Sequence, residues 1–169
     1  TEAIADGRVP ARAVHNDTKL NNLLFDRRSD RPICVIDLDT CMAGSSLFDF
    51  GDLARNTSVP TPEDELELER VRVDRALFTA LVEGYLEGAG GVLTAAELDL
   101  FPLAPRVFAL TLGVRFLADY LRGDTYFRIH RPAHNLERAR AQFQIVRKME
   151  EGEGWMRDIV DSVRRRVFA

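Results

Sequence analysis

Residues 21–38 read NNLLFDRRSDRPICVIDL. Two apolar runs of strand length, within NNLLFD (21–26) and ICVIDL (33–38), flank the polar stretch RRSDRP (27–32). Such a pattern predicts an antiparallel hairpin. Placing Asn22 opposite Asp37 aligns Leu23 with Ile36, Leu24 with Val35 and Phe25 with Cys34. The turn then falls on Ser29-Asp30, residue types that favour turns. This register brings an amide and a carboxylate together at the open end of the hairpin, as a shared hard cation requires.

The residues just before the hairpin give that end a chemical meaning. HNDTKLNN (15–22) holds His15, Asp17, Lys19 and Asn22. Phosphoryl transfer to a hydroxyl uses these types: a carboxylate for the hydroxyl proton, a cation for the moving phosphoryl group, and an amide oxygen for magnesium. The spacing is similar to the protein-kinase catalytic loop H-R-D-x-K-x-x-N. A polar loop after a short strand is the bland alternative.

Downstream, Asp49-Phe50-Gly51 spells the DFG of protein kinases. Pairing Asn22 with Asp49 would put the turn at Val35-Ile36, which are β-branched and lie inside an apolar run. Asp37 is therefore expected to hold the metal. Asp39 is open to two readings, a second ligand or a loop carboxylate capping nearby amides. ICVIDLDTCM also resembles the first motif of haloacid-dehalogenase-type phosphatases. That fold needs further parallel strands and a lysine, whereas the chain beyond Asp39 is helical in pattern and its only later lysine is Lys148.

The 169 residues suit one domain or one large lobe. A chain 46% apolar and 30% charged can bury a core, and a net charge of −4 offers no field for nucleic acid. No apolar run is long enough for a membrane span, and the first residues carry no apolar signal core. Cys34 and Cys41 read as reduced thiols, consistent with a cytoplasmic location.

The stretch to about residue 57 reads as strand and loop, and residues 62–169 as a helical bundle. Leu77, Phe78, Leu81, Val82 and Tyr85 form one apolar stripe. EGAGG stops that helix, and Thr94 with Glu97 forms a capping box for the next. RVFALTLGVRFLADYL (106–121) is apolar nearly all round and predicts a buried central helix. NLERARAQFQIVRKME (135–150) is amphipathic, and a last helix is expected over about 155–168. The expected class is α+β, a small sheet ahead of helices.

HNDTKLNN, VIDLDT (35–40) and DFGDLAR (49–55) together resemble the C-terminal catalytic lobe of the aminoglycoside phosphotransferase and choline kinase superfamily, a protein-kinase-like fold. YLEGAGG (85–91), RFLADYLRGDTYF (115–127) and IHRPAHNLERARAQF (129–143) are similar to the narrower N-acetylhexosamine 1-kinases. The similarity runs from about Ala13 to Glu150. The commonest superfamily motif is H-G-D-x-x-x-x-N. Here Asn16 replaces its glycine and Lys19 stands where histidine is commoner, as in the hexosamine kinases.

The resemblance implies ATP and Mg2+ as cofactors and a small sugar or alcohol as acceptor. It makes Asp17 the base, Lys19 the phosphoryl partner, Asn22 and Asp37 metal ligands, and His15 a loop support. It places Arg115 and Tyr126 on the sugar. For Arg115, an ion pair with Asp119 one turn on is the alternative; for Tyr126, a packed aromatic. Asp49 and Asp52 would brace the catalytic loop. No phosphate-covering loop or N-terminal-lobe lysine is present, so a C-lobe without its N-lobe, poorly active alone, is expected. The face such a lobe would cover would favour a homodimer. Choline and aminoglycosides are the alternative acceptors, and a non-catalytic binding lobe the alternative class.

Overall fold

The computed structural model describes residues 2–168. After a short helix α1 (Glu2–Ala5), strand β1 (Arg12–Val14) leads into the polar loop at 15–22. Strands β2 (Leu23–Phe25) and β3 (Pro32–Val35) form one two-stranded antiparallel sheet. Strand β4 (Met42–Gly44) returns to pair with β1, Arg12 facing Gly44 and Val14 facing Met42. Six helices follow: α2 (Ser46–Ser58), α3 (Arg75–Ala89), α4 (Ala95–Leu100), α5 (Ala104–Leu121), α6 (His134–Glu151) and α7 (Glu153–Val167).

The hairpin forms, but its register differs by one residue from the expected pairing. Leu23 faces Val35 and Leu24 faces Cys34, and a bulge then sets Phe25 opposite Pro32. Ile36, not Asp37, donates its N–H to the Asn22 carbonyl, at 2.9 Å. Asp37 lies one residue past this bond in a left-handed conformation (φ 64°). The chain turns there into a single 3-10 turn, Leu38–Thr40. An extra residue on one strand is how a bulge shifts pairing, and period-two hydrophobicity does not reveal it.

A second correction concerns residues 46–58, which form a helix and not a loop. Ser45 caps it, its hydroxyl accepting the Leu47 N–H. DFG therefore lies within α2. Gly51 is there for contact: a Cβ on it would come within 2.8 Å of the Ala104 carbonyl oxygen. The absent side chain lets α2 approach the start of α5.

The core is aromatic where the helices meet. Phe50 of α2 stacks on Phe101, with ring centroids 4.0 Å apart, and Tyr85 and Phe78 of α3 meet it edge-on. Trp155 of α7 meets Phe78 edge-on in turn. Such pairs add to the area term that dominates core stability. Helix α5 packs on α2 and α6, and α3 packs on α7.

Expected as wholly buried, α5 is instead two-sided. Ala109, Gly113 and Phe116 are buried, whereas Val107, Leu110, Val114 and Leu121 are exposed. Hydropathy alone does not distinguish a buried apolar face from an uncovered one.

A buried carboxylate joins three elements. Glu97, fully enclosed, receives both the Nε and an Nη of Arg12, at 2.7 and 2.8 Å. It also accepts the Ser46 hydroxyl at 2.6 Å and the Thr94 N–H at 2.7 Å. The capping box foreseen at Thr94 and Glu97 is formed. It thus also pins β1 and the start of α2. Cys34 and Cys41 are free and exposed. No helix among the described residues is long and apolar enough to cross a membrane.

Candidate active site

The loop at 15–22 is held from three sides. Asp49, in the first turn of α2, accepts the backbone N–H of His15 and of Asn16, both at 2.8 Å. The Thr18 hydroxyl donates to the Asp49 carbonyl at 2.8 Å. The Thr40 hydroxyl donates to the His15 carbonyl at 2.6 Å, and the Asn16 side chain donates to the Thr40 carbonyl at 3.1 Å. Thr18 and Thr40 were not singled out from sequence. Their positions just after Asp17 and Asp39 were the only signal. Asn16 has φ 63°, a left-handed conformation that Asn tolerates better than other side-chain-bearing residues. That is the physical reason why Asn can stand where the common superfamily motif has Gly.

His15 links the loop to the hairpin. Its Nδ1 accepts the Asp17 N–H at 3.3 Å, so Nε2 carries the proton donated to the Ile36 carbonyl at 3.0 Å. The imidazole thereby bridges the two segments, with both nitrogens occupied.

Asp17 is the convergence point of the loop. One of its carboxylate oxygens accepts Lys19 Nζ at 2.7 Å and Asn22 Nδ2 at 2.8 Å. Burial pushes its pKa up, but the bonds from Lys19 and Asn22 outweigh this and hold the carboxyl below its ordinary range. Lys19 shifts the opposite way. The Asp17 bond raises its pKa against burial, and the charge of Asp37 adds to the effect. A groove of 190 Å³ runs along His15, Asp17, Lys19, Asn22 and Val35.

Asn22 uses its Nδ2 twice on Asp17, for the carboxylate and for the backbone carbonyl, both at 2.8 Å. Its Oδ1 is left with no donor among the described residues, a suitable atom for a hard cation. Asp37 and Asp39 are exposed, and neither carboxylate accepts a hydrogen bond from a described residue. Among the described residues no three His, Cys, Asp or Glu side chains gather into a metal cage. An amide oxygen and one or two carboxylates fit magnesium, which keeps waters and takes its other ligands from phosphate oxygens.

Asp52 is placed differently from Asp49. It is buried and bonds Arg55 at 2.9 Å. Burial raises its carboxyl above the ordinary range, the Arg55 charge and hydrogen bond oppose this, and the charge of Asp17 adds to the rise.

Arg115 of α5 meets Tyr126 of the loop that follows the helix. The Arg115 guanidinium lies 5.6 Å from the Tyr126 ring centroid and 5.3 Å from that of Phe127, with an Nη 3.4 Å from the Tyr126 hydroxyl. Both side chains are exposed and border a 400 Å³ cleft with Arg122 and Thr125. Arg115 is therefore neither buried nor paired with Asp119. Asp119 instead gathers the following loop. It accepts the N–H groups of Thr125, Tyr126 and Phe127 and the Asn135 amide, at 2.9–3.0 Å. Burial alone would raise its pKa, but the three backbone donors hold it below the usual range. The loop carrying Tyr126 is thus built on one carboxylate.

A polar loop with a doubly bonded aspartate, a neighbouring lysine and an amide oxygen that accepts no bond among the described residues holds the residue types that phosphoryl transfer uses. The family model described as the phosphotransferase enzyme family (APH) matches residues 2–101, more than half of the chain and the whole of this loop. The chain belongs to that family.

Proposed function

We propose that this chain is the C-terminal catalytic lobe of an ATP-dependent kinase for the anomeric hydroxyl of an N-acetylhexosamine, GlcNAc or GalNAc. The observation that carries the phosphotransfer part is the Asn22–Asp17–Lys19 arrangement at 2.7–2.8 Å, with Asp37 one residue past the Ile36 N–H bond to the Asn22 carbonyl. The hexosamine part rests on the resemblance of residues 85–91, 115–127 and 129–143, and is supported by the Arg115–Tyr126 cleft, open and polar-edged.

In this reading Asp17 accepts the hydrogen bond of the acceptor hydroxyl. Its lowered pKa makes it a weak proton acceptor, suited to orienting the hydroxyl until its proton becomes acidic late in a loose transition state. Lys19, bonded to Asp17 in the resting lobe, turns to the transferring phosphoryl group. Asn22 Oδ1, Asp37 and Asp39 would hold magnesium, which supplies charge neutralisation to the nucleotide phosphates. Arg115 and Tyr126 would hold the sugar, the ring of Tyr126 stacking on it and the guanidinium donating to its hydroxyls.

A coupled ATP-consumption assay tests this. GlcNAc, GalNAc, choline and an aminoglycoside are offered to the chain alone and to the chain preceded by a nucleotide-binding lobe of its family. Turnover with the hexosamines supports the narrow reading. Turnover with choline or the aminoglycoside alone removes it and keeps the kinase. No turnover with any acceptor in either form contradicts both.

One observation favours a second, non-catalytic reading, a lobe that associates with its own copy. The hairpin is uncovered on both faces, with Ile33 65% and Val35 51% exposed and Leu24 and Phe25 nearly half exposed. A two-stranded hairpin with apolar faces in water is marginal by itself and gains from a partner.

A further inference from the structure

Leu103, Val107, Leu110, Val114, Leu117 and Leu121 follow one another at alternating steps of four and three residues. That is the heptad spacing of a coiled-coil seam, with Val107, Val114 and Leu121 at a positions and Leu103, Leu110 and Leu117 at d positions. Leu103 already has helical dihedral angles just before α5, so all six lie on one stripe about 27 Å long.

The stripe is on the side of α5 turned away from the rest of the chain. The opposite side, with Ala109, Gly113 and Phe116, is buried where α5 packs on α2 and α6. Val107, Leu110, Val114 and Leu121 are exposed, and Leu103 and Leu117 are half-buried. Single exposed apolar residues are ordinary, but a surface helix normally turns charged residues to this side. Here one flank of the seam carries Ala104, Thr111 and Ala118, small and uncharged. On the other flank Arg106 is already paired with Glu153 at 3.0 Å. Arg115 and Arg122 stand further round the helix. A second helix could therefore lie along the seam without meeting an unpaired charge at its flanks.

The two ends of the stripe are complementary in shape. Beside Leu103 and Val107 is an apolar hollow of 170 Å³, walled also by Ile4, Leu47, Phe48 and Phe108. At the other end Leu121 is 74% exposed, the most of any large apolar side chain among the described residues. An apolar cavity of about 150 Å³ takes a benzene-sized group, so this hollow has room for a leucine side chain. Within one copy the knob and the hollow are separated by the length of the helix. A second copy lying antiparallel brings each Leu121 to the other's hollow. The same placement sets Leu103 against Leu121, Val107 against Leu117 and Leu110 against Val114, an a position facing a d position in every layer. The pairing is its own inverse, about a two-fold axis level with Leu112, and so closes at two copies. A parallel pair would leave both hollows empty.

The exposed parts of these side chains, with those of Ile4 and Phe48, come to several hundred Å² per copy, on the order of the ~800 Å² that each partner buries in a stable interface.

We propose that the outward face of α5 is a homodimer interface, in which two copies of this chain pair antiparallel along the seam from Leu103 to Leu121. The surface is separate from the β2–β3 hairpin and uses none of the residues assigned to phosphotransfer, so it depends on neither reading.

Sedimentation equilibrium of the chain from micromolar to millimolar concentration tests it, and a monomer–dimer equilibrium is expected. Val114→Glu buries a carboxylate against Leu110 of the second copy and should raise the dissociation constant at least tenfold. Val114 is exposed in the single chain, so the melting temperature of the dilute monomer should not fall. Ile33→Lys, on the hairpin, should leave the dimer intact. For orientation, Leu103→Cys chains and Leu121→Cys chains, both in a Cys34→Ser, Cys41→Ser background, should cross-link to each other when mixed and not each to itself. A monomer at every concentration, a dimer that survives Val114→Glu, or one lost only in Ile33→Lys overturns the proposal. Cross-linking of Leu121→Cys chains to themselves alone also overturns it, by showing a parallel pair.

Discussion

The side-chain amide of Asn22 donates to the Asp17 carboxylate at 2.8 Å, across a loop of five residues. The same carboxylate oxygen holds Lys19 at 2.7 Å. Asp17 is thus fixed in place and kept ionised before any substrate arrives, and the free Asn22 Oδ1 is turned away from it. In the kinase reading, Asp17→Asn lowers kcat by about 10²–10⁴-fold and leaves the acceptor KM within a few-fold. Steady-state kinetics on the chain joined to a nucleotide-binding lobe measure this. An unchanged kcat removes the assignment. Because the Asp17 pKa is lowered, no loss of rate on going from neutral to mildly acidic pH should trace to this residue.

Glu97 predicts an acid limb of stability. Burial alone would raise its pKa, but the bonds from Arg12, Ser46 and Thr94 bring it from 4.5 down to about 2. A carboxyl depressed on folding stabilises the fold fully above its unfolded value and loses that contribution as pH falls through 4.5 towards 2. The loss is on the order of 3 kcal/mol. Glu97→Gln should flatten this limb and cost about 2 kcal/mol at neutral pH, since Arg12 loses its partner. Urea unfolding as a function of pH reads both effects.

Two glycines should respond with opposite sign. Gly51→Ala drives a Cβ to 2.8 Å from the Ala104 carbonyl, so about 1–3 kcal/mol is lost as α2 and α5 separate. Gly84, within α3, has nothing within 4 Å of where a Cβ would stand. Gly84→Ala should gain about 0.5–1 kcal/mol from helix propensity. Urea midpoints of the two variants test the pair.

Asp119→Ala removes the acceptor shared by Thr125, Tyr126, Phe127 and Asn135. The amides of residues 125–127 should then exchange with solvent faster, while those of Phe50 and Ala54 in the core stay protected. Uniform loss of protection along the chain would show that Asp119 supports the whole fold and not that loop.

If the uncovered hairpin associates with its own copy, sedimentation should show a concentration-dependent dimer. Ile33→Lys should return it to monomer with little effect on melting, because Ile33 is 65% exposed in the single chain. A monomer at every concentration contradicts the self-association reading.

Much of the helical part was legible because its signals are local. The stripe from Leu77 to Tyr85, the box at Thr94 and Glu97, and the amphipathic run from Asn135 each declare a helix within a dozen residues. Helix α2 was not legible. Asp49, Gly51, Asp52, Asn56 and Thr57 are weak helix formers, and what holds them helical is packing against α5 and Phe101, distant in sequence. Strand β4 was hidden for the same reason, since its partner lies some 30 residues earlier. At the site, the residue types and their order were readable. The one-residue register shift, the left-handed turns at Asn16 and Asp37, and the exposure of Arg115 depend on three-dimensional closure.

The proposed magnesium site at Asn22 and Asp37 is directly open to measurement on this chain. Manganese, added with ATP to isotope-labelled protein, broadens amide signals near the ion. The account predicts early broadening of the Asn22 side-chain amide and of the Asp37 and Leu38 backbone amides, lost in Asp37→Asn. Broadening that spares Asn22 and Asp37, or that persists unchanged in Asp37→Asn, would contradict it.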